Sequence, residues 1–141
     1  MSQYRPSPTD WVRDQVEKIE AAGTTEAASV QGLAVVLLTM TGRKSGDLLK
    51  VPLMRVEHDG VYAAVASKGG APDHPQWYFN LKANPDITVQ DGTTTHDVRA
   101  RIIEGDERAE WWERCVAAYP SYAEYQTKTD RQIPVFVLEP R

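Results

Sequence analysis

Two Asp-Gly pairs constrain this chain more than any other feature. Asp59-Gly60 and Asp91-Gly92 each lie between short, β-branched apolar segments. Such a pair favours the two-residue turns whose backbone twist matches the strands they join. Val61–Ser67 is then the strand returning from Leu49–Glu57, and Thr95–Ile103 the strand returning from Ile87–Gln90. Strands joined this tightly run antiparallel, which argues against a doubly wound parallel sheet.

The other apolar segments fit the same frame. Leu33–Met40 is continuous and partly β-branched, and reads as a buried strand. Its apolar run Leu33–Leu38 is far too short to cross a bilayer. Thr41–Gly46 is a turn, and Pro52 in the next strand argues for an edge or a bulge. Pro75–Ala83 is a short helix, closed by a left-handed Asn84 and by Pro85. Asp106 and Glu107 favour a helix start, and Trp112, Cys115, Val116 and Tyr119 follow at helical spacing. Past Pro120 a further turn or two carries Tyr122 and Tyr125, and Ile133–Leu138 is the last strand.

At the N-terminus, residues 1–6 read as a loose tail and 8–22 as an amphipathic helix. Ser7 is its candidate N-cap, Pro8 its first residue and Gly23 its stop. Val12, Val16 and Ile19 form its apolar stripe, with Asp14 and Lys18 paired on the other side. That stripe packs on the domain, covers a substrate mouth or touches a membrane surface; its mixed charges favour packing. The sum is five to six strands and three helices. The expected fold is α+β, mainly β: an antiparallel sheet or small barrel with peripheral helices, in one domain spanning 1–141.

Charged residues at 26% and hydrophobic residues at 41% are ordinary for a globular chain. A net charge of -4 argues against a nucleic-acid coat. Cys115 stands alone, which excludes an internal disulfide and a cysteine-zinc cluster. His58, His74 and His96 have no metal-ligand partner at helical spacing, so no metal site is expected. There is no G-x-S-x-G elbow, P-loop or G-x-G-x-x-G after a strand. MSQYRPSPTDW lacks the apolar stretch of a secretory signal, and the cytoplasm is the expected compartment.

Two loops at strand ends carry the chemistry. Thr41–Gly46 combines glycines with Arg43, Lys44 and Ser45, and Ser67-Lys68-Gly69-Gly70 repeats hydroxyl, cation and close backbone approach. Each alone is a common solvated turn. Together, in an acidic chain, they point to one anionic ligand. Trp77 and Asn80, at i and i+3, offer a stacking face and an amide, or else a core tryptophan with a satisfied amide. Tyr119, Tyr122 and Tyr125, spaced by three, form an aromatic wall of proton donors, or ordinary tyrosine packing.

L-L-T-x-T-G-R-K-S-G at 37–46, V-P-L at 51–53, A-S-K-G-G-A-P at 66–72, P-x-W-Y-x-N-L at 75–81 and Y-P-x-Y-x-x-Y at 119–125 occur in this order. From about Trp11 to Pro140 the chain resembles the deazaflavin-dependent nitroreductases of actinobacteria. The resemblance implies a split β-barrel, related to the FMN-binding split barrels, and coenzyme F-420. It also implies hydride transfer to an electron-poor quinone, activated alkene or nitro compound. Arg43, Lys44, Ser45 and Lys50 would hold phosphate and acidic tail. Pro52, Leu53 and Met54 would run beside the ring system. Ala66, Ser67, Lys68, Gly69, Gly70 and Ala71 would contact ring and phosphate, and Trp77 and Asn80 would complete the wall. Tyr119, Tyr122 and Tyr125 would line the substrate side, with a tyrosine or Ser67 as proton donor. The alternatives are an FMN-dependent reductase on the same fold and a coenzyme-binding protein with little turnover. The expected assembly is a monomer or weak dimer, with weak membrane-surface contact through the N-terminal helix as a further option.

Overall fold

The computed structural model describes residues 4–30 and 32–141. Helix α1 (Asp10–Ala22) leads into β1 (Ser29–Val30), β2 (Leu33–Thr41), β3 (Leu48–Met54), β4 (Glu57–His58) and β5 (Val61–Val65). Then come α2 (Gln76–Ala83), β6 (Asp86–Asp91), β7 (Thr94–Ile102), α3 (Gly105–Ala118), α4 (Ser121–Thr127) and β8 (Val135–Pro140). Every ladder among these strands is antiparallel. The strand order is β1-β2-β6-β7-β8-β5-β4, with β3 also on β2.

The sheet wraps into a split β-barrel because one bent strand bridges its two ends. The Arg55 amide donates to Ala34 O at 3.0 Å, extending the pairing of β3 with β2. Immediately beyond, the Ala63 amide donates to Val56 O at 2.9 Å, beginning the pairing of β4 with β5. Leu49–Glu57 is thus continuous in space but changes partner at Arg55–Val56. Pro52, without an amide hydrogen, sits on β3, which has β2 as its only ladder partner among the described residues.

Side chains alternate between two cores. Val36, Leu38 and Met40 of β2 join Val89, Val98, Phe136 and Leu138 inside the barrel. Val35 and Leu37 face the other way, onto Val16 and Ile19 of α1 and Trp111 and Cys115 of α3. Burial on both faces is why Val35–Leu38 reads as an unbroken apolar run. Each such aliphatic side chain, fully buried, contributes about 1.5–3 kcal/mol.

The two Asp-Gly turns differ. Asp59 and Gly60 both have positive φ (53° and 82°) between the paired residues His58 and Val61, as a type I′ turn requires. Asp91 instead pairs with Thr94, so Gly92 (φ 62°) is the first central residue. That shift leaves the Asp91 carboxylate to accept from Tyr62 Oη at 2.6 Å and from Arg55 Nε at 3.0 Å.

Several sequence expectations need correction. Helix α1 starts at Asp10 with Thr9 as N-cap, and Ser7 Oγ accepts from the Thr9 amide one turn earlier. Residues 1–3 lie outside the described residues, but Tyr4 and Arg5 are not loose. Tyr4 bridges to Leu48, and the Arg5 amide donates to Leu48 O at 2.8 Å. Asn84 is not left-handed (φ -134°); its Nδ2 donates to Thr41 O instead. The further turn or two expected past Pro120 is a separate helix, α4, which makes four helices rather than three, and the two-residue strand β1 carries too few residues for a periodic signal.

Candidate active site

A cavity of about 640 Å³ opens between β3, the 66–71 loop, α2 and the corner joining α3 to α4. Its N-terminal wall is the segment Arg5–Thr9 with Trp11 and Val12 of α1. So α1 divides its labour: Val16 and Ile19 pack in the core, while Trp11, 56% exposed, stands at the mouth. Of the apolar stripe, Val16 and Ile19 are buried and Val12 lines the cavity.

The predicted residues divide between the cavity lining and the loops that adjoin it. Lys50, Pro52, Leu53 and Met54 line the cavity from β3, and Ser67, Lys68 and Gly69 from the loop after β5. Trp77 and Asn80 come from α2, and Tyr119, Tyr122 and Tyr125 from the α3–α4 corner. Arg43, Lys44, Ser45, Ala66, Gly70 and Ala71 stand off this lining, although their loops adjoin it.

Arg43 is not a free cation. Its amide and guanidinium both donate to Asn80 Oδ1 (3.1 and 3.0 Å), and Nη2 donates to Gln76 Oε1 at 2.9 Å. The guanidinium also lies over the Phe79 ring. These contacts fasten the Thr41–Gly46 turn to α2 and satisfy the buried Asn80. Ser45 Oγ accepts from the Asp47 amide. Lys44 and Lys68 are exposed and have no ion-pair partner among the described residues. Lys50 pairs with Glu20 of α1 and lies over the Tyr4 ring.

The loop after β5 has unusual backbone. Ser67 is right-handed helical, whereas Lys68, Gly69 and Gly70 all have positive φ (47°, 64° and 85°). A right-handed residue followed by a left-handed one turns consecutive amides to one side, forming a concave anion nest. Ser67 is buried at the cavity edge.

Sequence reasoning missed Arg131, in the connection between α4 and β8. Its Nη1 donates to Ala66 O (3.1 Å), Nη2 to Ser67 O (2.9 Å) and Nε to Ala71 O (3.0 Å). Nη1 also donates to His74 Nδ1 at 3.2 Å, because a guanidinium has no acceptor to offer. No local pattern signals a partner some 60 residues away.

The three tyrosines do not share one helix. Tyr119 caps α3 in extended conformation (φ -146°), and Tyr122 and Tyr125 belong to α4. They cluster nonetheless. The Tyr119 and Tyr122 rings meet edge to face at 4.9 Å, and the Tyr119 and Tyr125 hydroxyls are 3.0 Å apart. The hydrogen bond to Tyr119, then burial, pushes the Tyr125 pKa up to about 12. Burial raises Tyr122 further still. Both phenols are therefore protonated at neutral pH. Cys115 is buried under α3, where desolvation raises its pKa to about 12; it is a core residue.

The arrangement has an apolar wall with a phenol cluster on one side and a nest with free cations on the other. Such a cavity suits a ligand that is planar at one end and anionic at the other. Residues 11–140 match the family model described as F420H(2)-dependent quinone reductase. An F420H(2)-dependent quinone reductase of Mycobacterium tuberculosis, Rv1261c, is 37% identical over 108 residues, covering 74% of this chain and 72% of that protein. A solved structure titled as an F420-H2 dependent reductase, FDR-A, is 63% identical, with TM-score 0.72, over 74% of this chain and 93% of that one. A second, titled as a domain-swapped dimer, is 60% identical, with TM-score 0.75, over 94% of this chain and 100% of that one.

Proposed function

The chain belongs to the F420H(2)-dependent quinone reductase family, and from that premise we propose how its own residues serve a quinone reduction. It is an F-420-dependent oxidoreductase. The observation that supports the site assignment best is the single cavity that joins the Ser67–Lys68 nest to the tyrosine cluster.

The residues present fit the coenzyme. A nest and the unpaired Lys68 and Lys44 suit phosphate and a polycarboxylate tail, because charge-assisted hydrogen bonds are the strong ones. Lys50 exchanges Glu20 for that tail, and Ser45 adds a hydroxyl. Arg43 acts through Asn80 by fixing the turn. Pro52, Leu53, Met54 and Trp77 supply an apolar wall for a planar ring system. Gly69 lines the floor, and Ala66, Gly70 and Ala71, off the lining, hold its loop in place. When bound, coenzyme F-420 supplies the hydride.

The chain's part in the chemistry is orientation and protons. Reduction of a quinone puts negative charge on its oxygen, which a neutral phenol can stabilise or protonate. Tyr119 and Tyr125 share one hydrogen bond in which either oxygen can donate, so the two hydroxyls act on the acceptor as a linked pair. Ser67 offers a second hydroxyl at the cavity edge. These donors argue for turnover rather than storage. Activated alkenes and nitro compounds share the electron-poor character and are candidate acceptors.

FMN has one phosphate and no acidic tail, so it leaves part of the basic set unpaired. F-420 should therefore bind more tightly. The test mixes pure protein with reduced F-420 and a small quinone such as menadione, and follows return of the oxidised coenzyme's absorbance. No quinone-dependent oxidation, or tighter binding of FMN, would overturn the assignment.

We read residues 1–141 as one domain that works in the cytoplasm as a monomer or weak dimer. Among the described residues no helix is long and apolar enough to cross a membrane. Weak membrane contact through α1 would rest on Trp11, since Val16 and Ile19 are buried. Sedimentation over a concentration series checks the assembly, with element exchange as in the domain-swapped relative a further outcome. Liposome flotation checks the membrane contact.

A further inference from the structure

We propose that Arg131 is a positioning residue that holds the 66–71 loop in its coenzyme-receiving shape. The proposal rests on the reading of that loop as the anion site.

One guanidinium gathers the carbonyls of Ala66, Ser67 and Ala71, which flank the left-handed run Lys68-Gly69-Gly70. A non-glycine residue at positive φ is disfavoured and persists only where its surroundings over-determine it. Lys68, at φ 47°, is such a residue. The amides of Gly70 and Ala71 donate back to Ser67 O and Lys68 O, a single tight turn of backbone. Lys68 and Gly69 are exposed, and the turn's other support is Gly70, buried against Tyr125 and Lys128. Arg131 closes the base of the loop from outside.

The geometry demands an arginine. Three carbonyl acceptors lie around one planar fork, each bonded at 2.9–3.1 Å, with His74 Nδ1 as a fourth acceptor at 3.2 Å. A lysine ammonium is a point donor on a flexible stem and cannot span them. Turning the three carbonyls toward the cation also turns their negative ends away from the nest. Arg131 is absent from the cavity lining, so it acts on the coenzyme through the loop.

The test uses Arg131→Ala and Arg131→Lys in the full chain, with Lys68→Ala alongside. Thermal melting and circular dichroism establish that each is folded. Coenzyme affinity is read by fluorescence titration, and kcat and both KM values by steady-state reduction of menadione. The expected result is a tenfold or larger weakening of coenzyme binding in both Arg131 variants. The kcat at saturating coenzyme and the KM for quinone should stay within about twofold of the parent. Added guanidinium should restore coenzyme affinity in Arg131→Ala; this fails for a residue that merely stabilises the barrel. Full affinity in Arg131→Lys would overturn the fork argument. Unchanged coenzyme affinity in Arg131→Ala would overturn the proposal, as would an equal loss for coenzyme and quinone with no rescue. An Arg131→Ala variant that fails to fold while Arg131→Lys binds normally would also overturn it. If Lys68→Ala weakens binding while Arg131→Ala does not, the anion-site reading stands and only the positioning role falls. If neither matters, the anion-site reading falls as well.

Discussion

The hydroxyls of Tyr119 and Tyr125 meet at 3.0 Å across the break between α3 and α4. The break makes the meeting possible: Tyr119 leaves α3 in extended conformation, and Pro120 starts a new helix direction that carries Tyr125 back over it. Because the pair shares a proton, the two Tyr→Phe changes should not add. Each single variant should lower kcat for quinone by roughly 10², the scale of losing one donor to developing charge. The double variant should fall little further. Coenzyme affinity should stay near the parent's. Steady-state kinetics of the three variants checks this. Full additivity would mean that the hydroxyls act independently.

Gly70 and Gly69 are adjacent, both left-handed, and differ in what surrounds them. A Cβ on Gly70 would lie 2.8 Å from the carbonyl oxygen of Tyr125 and 3.1 Å from Lys128 Cβ, whereas one on Gly69 meets nothing within 4 Å. Gly69→Ala should cost only the left-handed penalty, about 1–2 kcal/mol. Gly70→Ala must also push α4 away, and should cost visibly more and raise KM for quinone through Tyr125. Urea unfolding of the two variants gives the comparison.

Hairpins, buried strands and the glycine loop were legible because their signals are local. Asp59-Gly60, the continuous, partly β-branched run Leu33–Met40 and the Pro75 helix start are each written within a few residues. The resemblance then pointed to the family and to residues that the cavity gathers from β3, the 66–71 loop, α2 and the tyrosine corner. What stayed hidden depends on long-range partners. Arg131 looks like an ordinary surface arginine until Ala66 and Ala71 come round to meet it. Arg43 and Lys44 are equivalent on the page, yet α2 takes one and leaves the other. Closure of the sheet rests on a change of strand partner at Arg55–Val56, where side-chain periodicity has no reason to change.

His74 should give stability an acid limit. Its ring stacks on Tyr78 with centroids 4.1 Å apart and accepts from Arg131. Burial, and then the charge of Arg131, hold its pKa below the ordinary 6.5. The unfolded chain therefore takes the proton more readily. The contribution of the neutral ring is complete above about pH 6.5 and is lost as pH falls toward the lower folded value. His74→Phe keeps the stack without the titration. Melting temperatures at pH 7.5 and 5.5 should fall more in the parent than in this variant. Equal falls would place the acid sensitivity elsewhere.

Arg43 and Lys44 are neighbours in one turn and should fail in different assays. Arg43 donates twice to the buried Asn80 Oδ1, so Arg43→Ala removes one of the two donors to an acceptor that is only 4% exposed. The backbone amide of residue 43 remains, which moderates the loss. A cost of about 1–3 kcal/mol in unfolding free energy is expected. Lys44 is exposed, and nothing among the described residues depends on it. Lys44→Ala should leave stability within about 0.5 kcal/mol. Its loss should appear as coenzyme binding weaker by about 1.5–3 kcal/mol, the range for a hydrogen bond to a charged group. That loss should shrink as salt is raised, since an exposed cation is screened. Urea unfolding and coenzyme titration at low and high ionic strength separate the two residues. If Lys44→Ala binds the coenzyme as the parent does at low salt, the acidic tail does not pass over this turn.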